Sequence, residues 1–412
     1  MGVGVDGPVS TVRPSLRLEA VIAVTPKSVR SKSRVTAALL AAGLAAAVLV
    51  TGPAASASPS PLPAVTAKVD GVVYAITQVG DRTYIGGDFT SVSGVPRQNV
   101  AAIRADGRLD LGWDPSANGV VYALAASSDS DTVFMGGAFT TVGDVDRGRL
   151  AAVTPNTGEV IPGWTTSTNN NLVRALVADS GDRLYVGGSF GRIGGRAVPR
   201  LAAVDQNNAG AVDTAFAPRP SATVRALTLS EGGGRLYAGG AFTTIAGHAR
   251  PGVAELDVST GAATAFAPSD GGVVISMDAT PSGRLFFGTT SNRTWAYDPS
   301  KGGTPEYRIR TGGDVQAIVA TDDEVYIGGH FNTVPELKLS RVALASFLPS
   351  TGEVTGWNPG ANGAFGVWAM GVTRTALNPD TVHALSIGGD FTRVAGLARR
   401  GYTRFDFATP AA

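Results

Sequence analysis

A chain of 412 residues with 54 glycines, 24 prolines, 16% charged residues and no cysteine has no disulfide framework, no thiolate metal site and no cysteine nucleophile. Its formal net charge of +1 excludes the broad basic surface that nucleic-acid binding requires. Frequent Gly and Pro, with no long amphipathic helical stretch, point to an all-β protein.

In chain order, Lys27, Arg30, Lys32 and Arg34 precede an uncharged run from Val35 to Val50 and then Ala55-Ser56-Ala57. Basic segment, apolar core and small-residue site in that order predict a secretory signal peptide over residues 1–57. The run of 16 residues is short for a bilayer span, so the mature chain is expected to be secreted with no membrane span. Cleavage removes six basic and two acidic groups, taking the net charge from +1 to about −3 and leaving no polybasic patch. A Ser/Pro linker, 58–63, follows.

From there a pattern recurs. Tyr84-Ile85-Gly86-Gly87-Asp88-Phe89-Thr90 returns at Phe134–Thr140, Tyr185–Phe190, Tyr237–Thr243, Tyr326–Phe331 and Ser386–Thr392, with a damaged copy at Phe286-Phe287-Gly288. The first glycines are 50, 51, 52, 49, 40 and 60 residues apart, a period that signals a propeller, solenoid or array. Each copy opens on an apolar strand such as Val72-Val73-Tyr74-Ala75-Ile76, read as the inner strand because small residues alternate with apolar ones. The Gly-Gly segment is the second strand, where paired glycines permit a bulge and close backbone approach. Val100-Ala101-Ala102-Ile103 and its equivalents form the third. A fourth strand carries an aromatic: Trp113, Trp164, Phe216, Phe266, Tyr307 or Trp357.

After Phe391 the last copy has only a third strand, Tyr402 to Asp406, while Val65 to Asp70 sits where a fourth strand belongs. The expected fold is therefore an all-β, seven-bladed β-propeller of four-stranded antiparallel blades over residues 64–407. The N-terminal strand would complete the last blade and close the ring, leaving a tail of 408–412. The Tyr-x-Gly-Gly-x-Phe-Thr, Leu-Ala-Ala-x-Asp and Phe-x-Pro elements resemble the delta-60 repeat β-propellers of secreted bacterial proteins. That resemblance implies the fold and little about activity.

A residue repeated from blade to blade, such as the loop arginine at 97, 147, 200, 250, 341 and 399, reads as a structural brace. Function is expected where the repeat breaks. Asp70, Asn118, Asn170, Asp270, Asp314 and Asn362 precede inner strands on one face, either capping turns or forming a polar channel mouth for sugar hydroxyls or a hard cation. The short step to the sixth copy predicts a notch beside Asp270 and Asp314 lined by Asn292, Arg293 and Trp295, a set suited to sugar or peptide recognition. His330 replaces the variable residue of Gly-Gly-x-Phe, and the three histidines lack metal-site spacing.

The expected binding residues are thus Asp70, Asn118, Asp270, Asp314, Asn292, Arg293, Trp295 and His330, with no metal, cofactor or catalytic residue assigned. They describe a monomeric, non-catalytic module for an extracellular glycan or protein, without nucleic acid. The alternative is a glycoside hydrolase or lyase pairing Asp278 with Asp70, Asp270 or Asp314. A quinoprotein-like oxidoreductase, suggested by Thr157 to Trp164 and Thr351 to Trp357, ranks behind it.

Overall fold

The computed structural model describes residues 58–407 apart from 170, 269–271 and 376–377. The expected signal peptide, Asp270 and the tail lie outside the described residues. Within them the chain is nearly all β: seven antiparallel sheets of three or four strands follow one another, interrupted by three single turns of 3₁₀ helix. Their first strands are Val69–Val79, Val121–Ala126, Val173–Ala178, Val224–Leu229, Val274–Ala279, Val315–Ala320 and Val367–Thr375. These stand side by side in chain order, and the first strand of the seventh sheet also stands beside that of the first.

The Gly-Gly segment lies in the second strand of six of the seven sheets, the fifth keeping only Gly288, and its glycines are there because a valine of the next sheet and the paired backbone leave no room for a Cβ. A Cβ on Gly86 would sit 2.6 Å from Cγ1 of Val121 in the next sheet, and one on Gly388 would sit 2.5 Å from Cγ1 of Val73 in the first sheet. The repeated phenylalanines, including Phe139, Phe190 and Phe391, are fully buried, each contributing about 1.5–3 kcal/mol of apolar burial.

Opposite the glycines the first strand carries an extra residue. Val73 pairs with Gly87 and Ala75 with Gly86, so Tyr74 has no partner across the ladder. The same shift falls between Val121 and Ala123, Val173 and Ala175, Val224 and Ala226, Val274 and Ser276, Val315 and Ala317, and Val367 and Ala369. A bulge of this kind re-aims the unpaired side chain. All seven sheets therefore turn one first-strand residue out of the ladder at the same level.

The expected fourth strand is mostly reduced to one bridge, as at Ile103 with Leu109, Val153 with Val160 and Phe347 with Val354. Among the described residues only the fifth sheet has a full fourth strand at this edge, Tyr307–Arg310. Elsewhere a Pro near the aromatic, as in Trp113-Asp114-Pro115, removes a ladder donor and leads the chain away. The aromatic itself turns inward. Trp113 meets Tyr84 edge-on at 5.0 Å and Trp357 meets Tyr326 at 5.5 Å. Trp113 Nε1 donates to the Thr154 carbonyl of the next sheet at 3.0 Å, and the Tyr84 hydroxyl donates to the Pro155 carbonyl at 2.7 Å.

The repeated arginines fasten the same edge. Arg97, Arg147, Arg250 and Arg341 each donate to the carbonyl fourteen residues on, at Leu111, Ile161, Thr264 and Thr355. Arg200 is not their equivalent. It stands two places later, has φ of 66°, and reaches Pro220 instead; Val198 occupies the brace position. In the seventh sheet the edge comes from the start of the described chain: Ala64 N–H donates to Arg404 at 2.8 Å and Ser60 N–H to Asp406 at 2.9 Å. Arg399 there donates to the Ala64 and Pro63 carbonyls at 2.7 and 3.1 Å. Residues 59–64, rather than Val65 to Asp70, thus lie on that edge, because Val69 and Asp70 already belong to the first strand of the first sheet.

Candidate ligand site at the channel mouth

The seven bulged residues converge on a cavity of about 470 Å³, a size that suits a small ligand. Beneath them the first strands present Ala75, Ala123, Ala175, Ala226, Ser276, Ala317 and Ala369 to a narrower space of about 190 Å³. Small side chains are what let seven strands converge, and the Ser276 hydroxyl is satisfied by the Val315 carbonyl at 2.7 Å. The floor is lined by small side chains; the rim differs residue by residue.

Going around the rim, Trp368, Tyr74 and Tyr122 form an aromatic arc with centroid separations of 5.2 and 5.4 Å. Phe365, half exposed, extends it at 5.9 Å from Trp368. The next two positions are Arg174 and Arg225, both exposed. The Arg174 guanidinium lies 5.0 Å from the Tyr122 ring centroid, an attraction between cation and ring face. Burial and the neighbouring Arg174 charge depress the Arg225 pKa. Among the described residues neither arginine forms an ion pair with a carboxylate. Ile275 and Gln316 complete the rim, with Thr290 and Asp314 beside them.

Asp314 is pushed above the usual carboxylate range by burial, against the opposing charge of His330. Tyr74 is raised by burial and then by Tyr122, Asp88 and Asp390. Negative charge therefore lies beside the aromatic and amide arcs and positive charge on the arginine arc. The Trp368 indole N–H and the Gln316 amide oxygen are shielded from solvent without a partner.

Of the described residues that the sequence singled out, Asp314 alone lines this cavity. His330 packs near Phe365 at 5.9 Å and borders a neighbouring cavity of about 330 Å³. Asp70 accepts a hydrogen bond from the Ser91 hydroxyl at 3.1 Å. Asn118 is a loop brace: its Oδ1 accepts from the N–H groups of Thr140 and Thr141 at 2.7 and 3.0 Å. Asn362 and Asn169 make the same paired contacts. Asn292 forms a left-handed turn with φ of 62° and its carbonyl accepts from Thr311. Arg293 begins the third strand of the fifth sheet. Trp295 is 7% exposed, packed with Phe287 and Tyr297, so its ring serves the core and does not line a notch.

Asp278 is held away from the mouth. Its Oδ1 accepts from Thr228 Oγ1 and Ala279 N–H at 3.2 and 2.9 Å, and its Oδ2 from Ala320 N–H at 2.9 Å. Burial still pushes its pKa up to about 6, against those donors and Arg374. It ties the first strands of three adjacent sheets. Among the described residues no three His, Asp or Glu side chains gather as a metal site, and no helix is long and apolar enough to cross a membrane.

The residues sequence reasoning missed are Tyr74, Tyr122, Arg174, Arg225, Gln316 and Trp368. Their signal was present: between the repeated Val and Ala of the inner strand stands the one column occupied by Tyr, Tyr, Arg, Arg, Ile, Gln and Trp. No curated protein matches the chain. A family model described as a beta-propeller domain of unknown function (DUF5122) matches residues 81–112, the stretch from the second strand of the first sheet to the aromatic edge, and over it the chain is similar to a β-propeller family.

Proposed function

We propose that the chain is a secreted, closed, seven-bladed β-propeller of the delta-60 repeat type that works as a non-catalytic binding module, taking an extracellular glycan or protein ligand at the channel mouth. The observation that carries this reading is the bulge repeated in every sheet. It turns out of the ladder one side chain per repeat, whose chemistry runs from aromatic to cationic, aliphatic and amide, while the flanking Val and small residues are committed to packing. The pairing of residues 59–64 with the seventh sheet, and of Gly388 with Val73, supports ring closure. The basic and apolar order of the N-terminus supports secretion.

A binding role is favoured over the hydrolase or lyase alternative because the acid that alternative requires, Asp278, spends both oxygens on backbone and Thr228 donors. The test is a glycan and peptide array probed with the protein and with Trp368→Ala, beside a glycosidase and lyase assay. Binding lost in the variant at an unchanged melting temperature supports the reading. Turnover that Asp278→Asn abolishes, or binding indifferent to every mouth substitution, refutes it.

A further inference from the structure

Building on that binding role, we propose that the ligand is an acidic glycan, held through the carboxylate of a uronic-acid residue by Arg174 and Arg225 while its ring lies against Trp368 and Tyr74. Two guanidiniums on adjacent first strands, with no ion pair to a carboxylate among the described residues, repel one another. An anion placed between them removes that repulsion and gains charge-assisted hydrogen bonds. A single carboxylate suffices. A phosphate dianion, with twice the charge, would be repelled more strongly by Asp314, and by Asp88 and Asp390 near Tyr74, so the acids on the far arc select against higher negative charge.

The body of the ligand is specified by the other arcs. Trp368 and Tyr74 meet edge-on at 5.2 Å, so one ring of the pair can offer its face to the C–H face of a pyranose while the other borders it with an edge. The Asp314 carboxylate, beside the rim, accepts from a hydroxyl. A cavity of about 470 Å³ holds one or two sugar residues and leaves the chain of a longer glycan outside.

The full chain is titrated calorimetrically with oligomers of galacturonate, glucuronate and mannuronate, and with their methyl esters, which keep the ring and lose the charge. The expected result is binding of one acid series, weaker at high salt, with the ester at least tenfold weaker. Arg174→Gln and Arg225→Gln each weaken the acid about tenfold and leave the ester within about twofold, whereas Trp368→Ala weakens both. Equal binding of acid and ester, or a peptide carboxylate or phosphate ester binding more tightly than any uronate, overturns the inference. If that ligand's binding still falls in Trp368→Ala, the mouth remains the site. Uronate binding untouched by all three substitutions overturns inference and site together, and no binding to any uronate overturns the inference alone, the peptide array then deciding the site.

Discussion

Replacing Arg399 by Met tests whether the ring is held shut by its ends. Arg399 Nε and Nη2 reach the carbonyls of Ala64 and Pro63, and Nη1 reaches its own neighbour Ala398 at 2.9 Å. Arg341 makes the corresponding contacts inside a continuous stretch of chain, to Thr355 and Ser340 at 2.9 and 3.0 Å. A hydrogen bond from a charged donor contributes about 1.5–3 kcal/mol when buried and less when part of the side chain is wet. Arg341 is 9% exposed and Arg399 is half-buried. We therefore expect Arg341→Met to cost about 2–4 kcal/mol and Arg399→Met about 1–3 kcal/mol, measured by urea unfolding. Hydrogen exchange at the Ala64 amide, which donates to Arg404, should accelerate in Arg399→Met and not in Arg341→Met. The outcome that refutes the reasoning is a full loss in Arg341→Met with none in Arg399→Met, and an Ala64 amide that exchanges freely in the unaltered protein. The ends would then meet without holding.

Further expectations concern the interior. Because burial raises Asp278 to about 6 from an ordinary carboxylate value near 4, the folded state binds its proton more tightly than the unfolded chain; this contribution is greatest below about pH 4 and is lost as pH rises through about 6. Stability should gain about 1 kcal/mol from this group between pH 7 and pH 5, and the difference in slope between the protein and Asp278→Asn should isolate it; parallel curves would place the titration elsewhere. Trp295→Ala should lower stability by about 3–5 kcal/mol and leave ligand affinity unchanged, whereas the reverse would restore the notch as a site. Gly388→Ala should cost about 1–3 kcal/mol through overlap with Val73; Gly396→Ala, at φ of 74° with open space around it, should cost about 1 kcal/mol from backbone strain alone, and equal, near-zero losses would mean the seventh and first sheets are not in close contact.

What was legible in the sequence follows from what each column must do. Gly86 and its equivalents repeat because the neighbouring sheet's valine leaves no room for a Cβ, and Phe139 and its equivalents repeat because a fixed volume between sheets must be filled. A requirement imposed seven times leaves a periodic trace. The paired glycines also announced a bulge, but the extra residue lies in the strand opposite, at Tyr74 and its counterparts; which of two paired strands holds it depends on their register, and alternation within one strand does not encode that. The arginine at 200 was grouped with the braces by residue type, although its place in the turn, two residues late, gives it a different carbonyl to reach. Searching for function where the repeat loses a loop led to Trp295, since an aromatic in a degenerate strand looks the same from sequence whether it faces solvent or, as here, pairs across from Phe287 within the core. The break that matters is of another kind. At the bulge the backbone is repeated and the side chain is not, so each sheet offers the mouth a position free of packing demands, and chemistry there can differ from sheet to sheet without disturbing the frame that presents it.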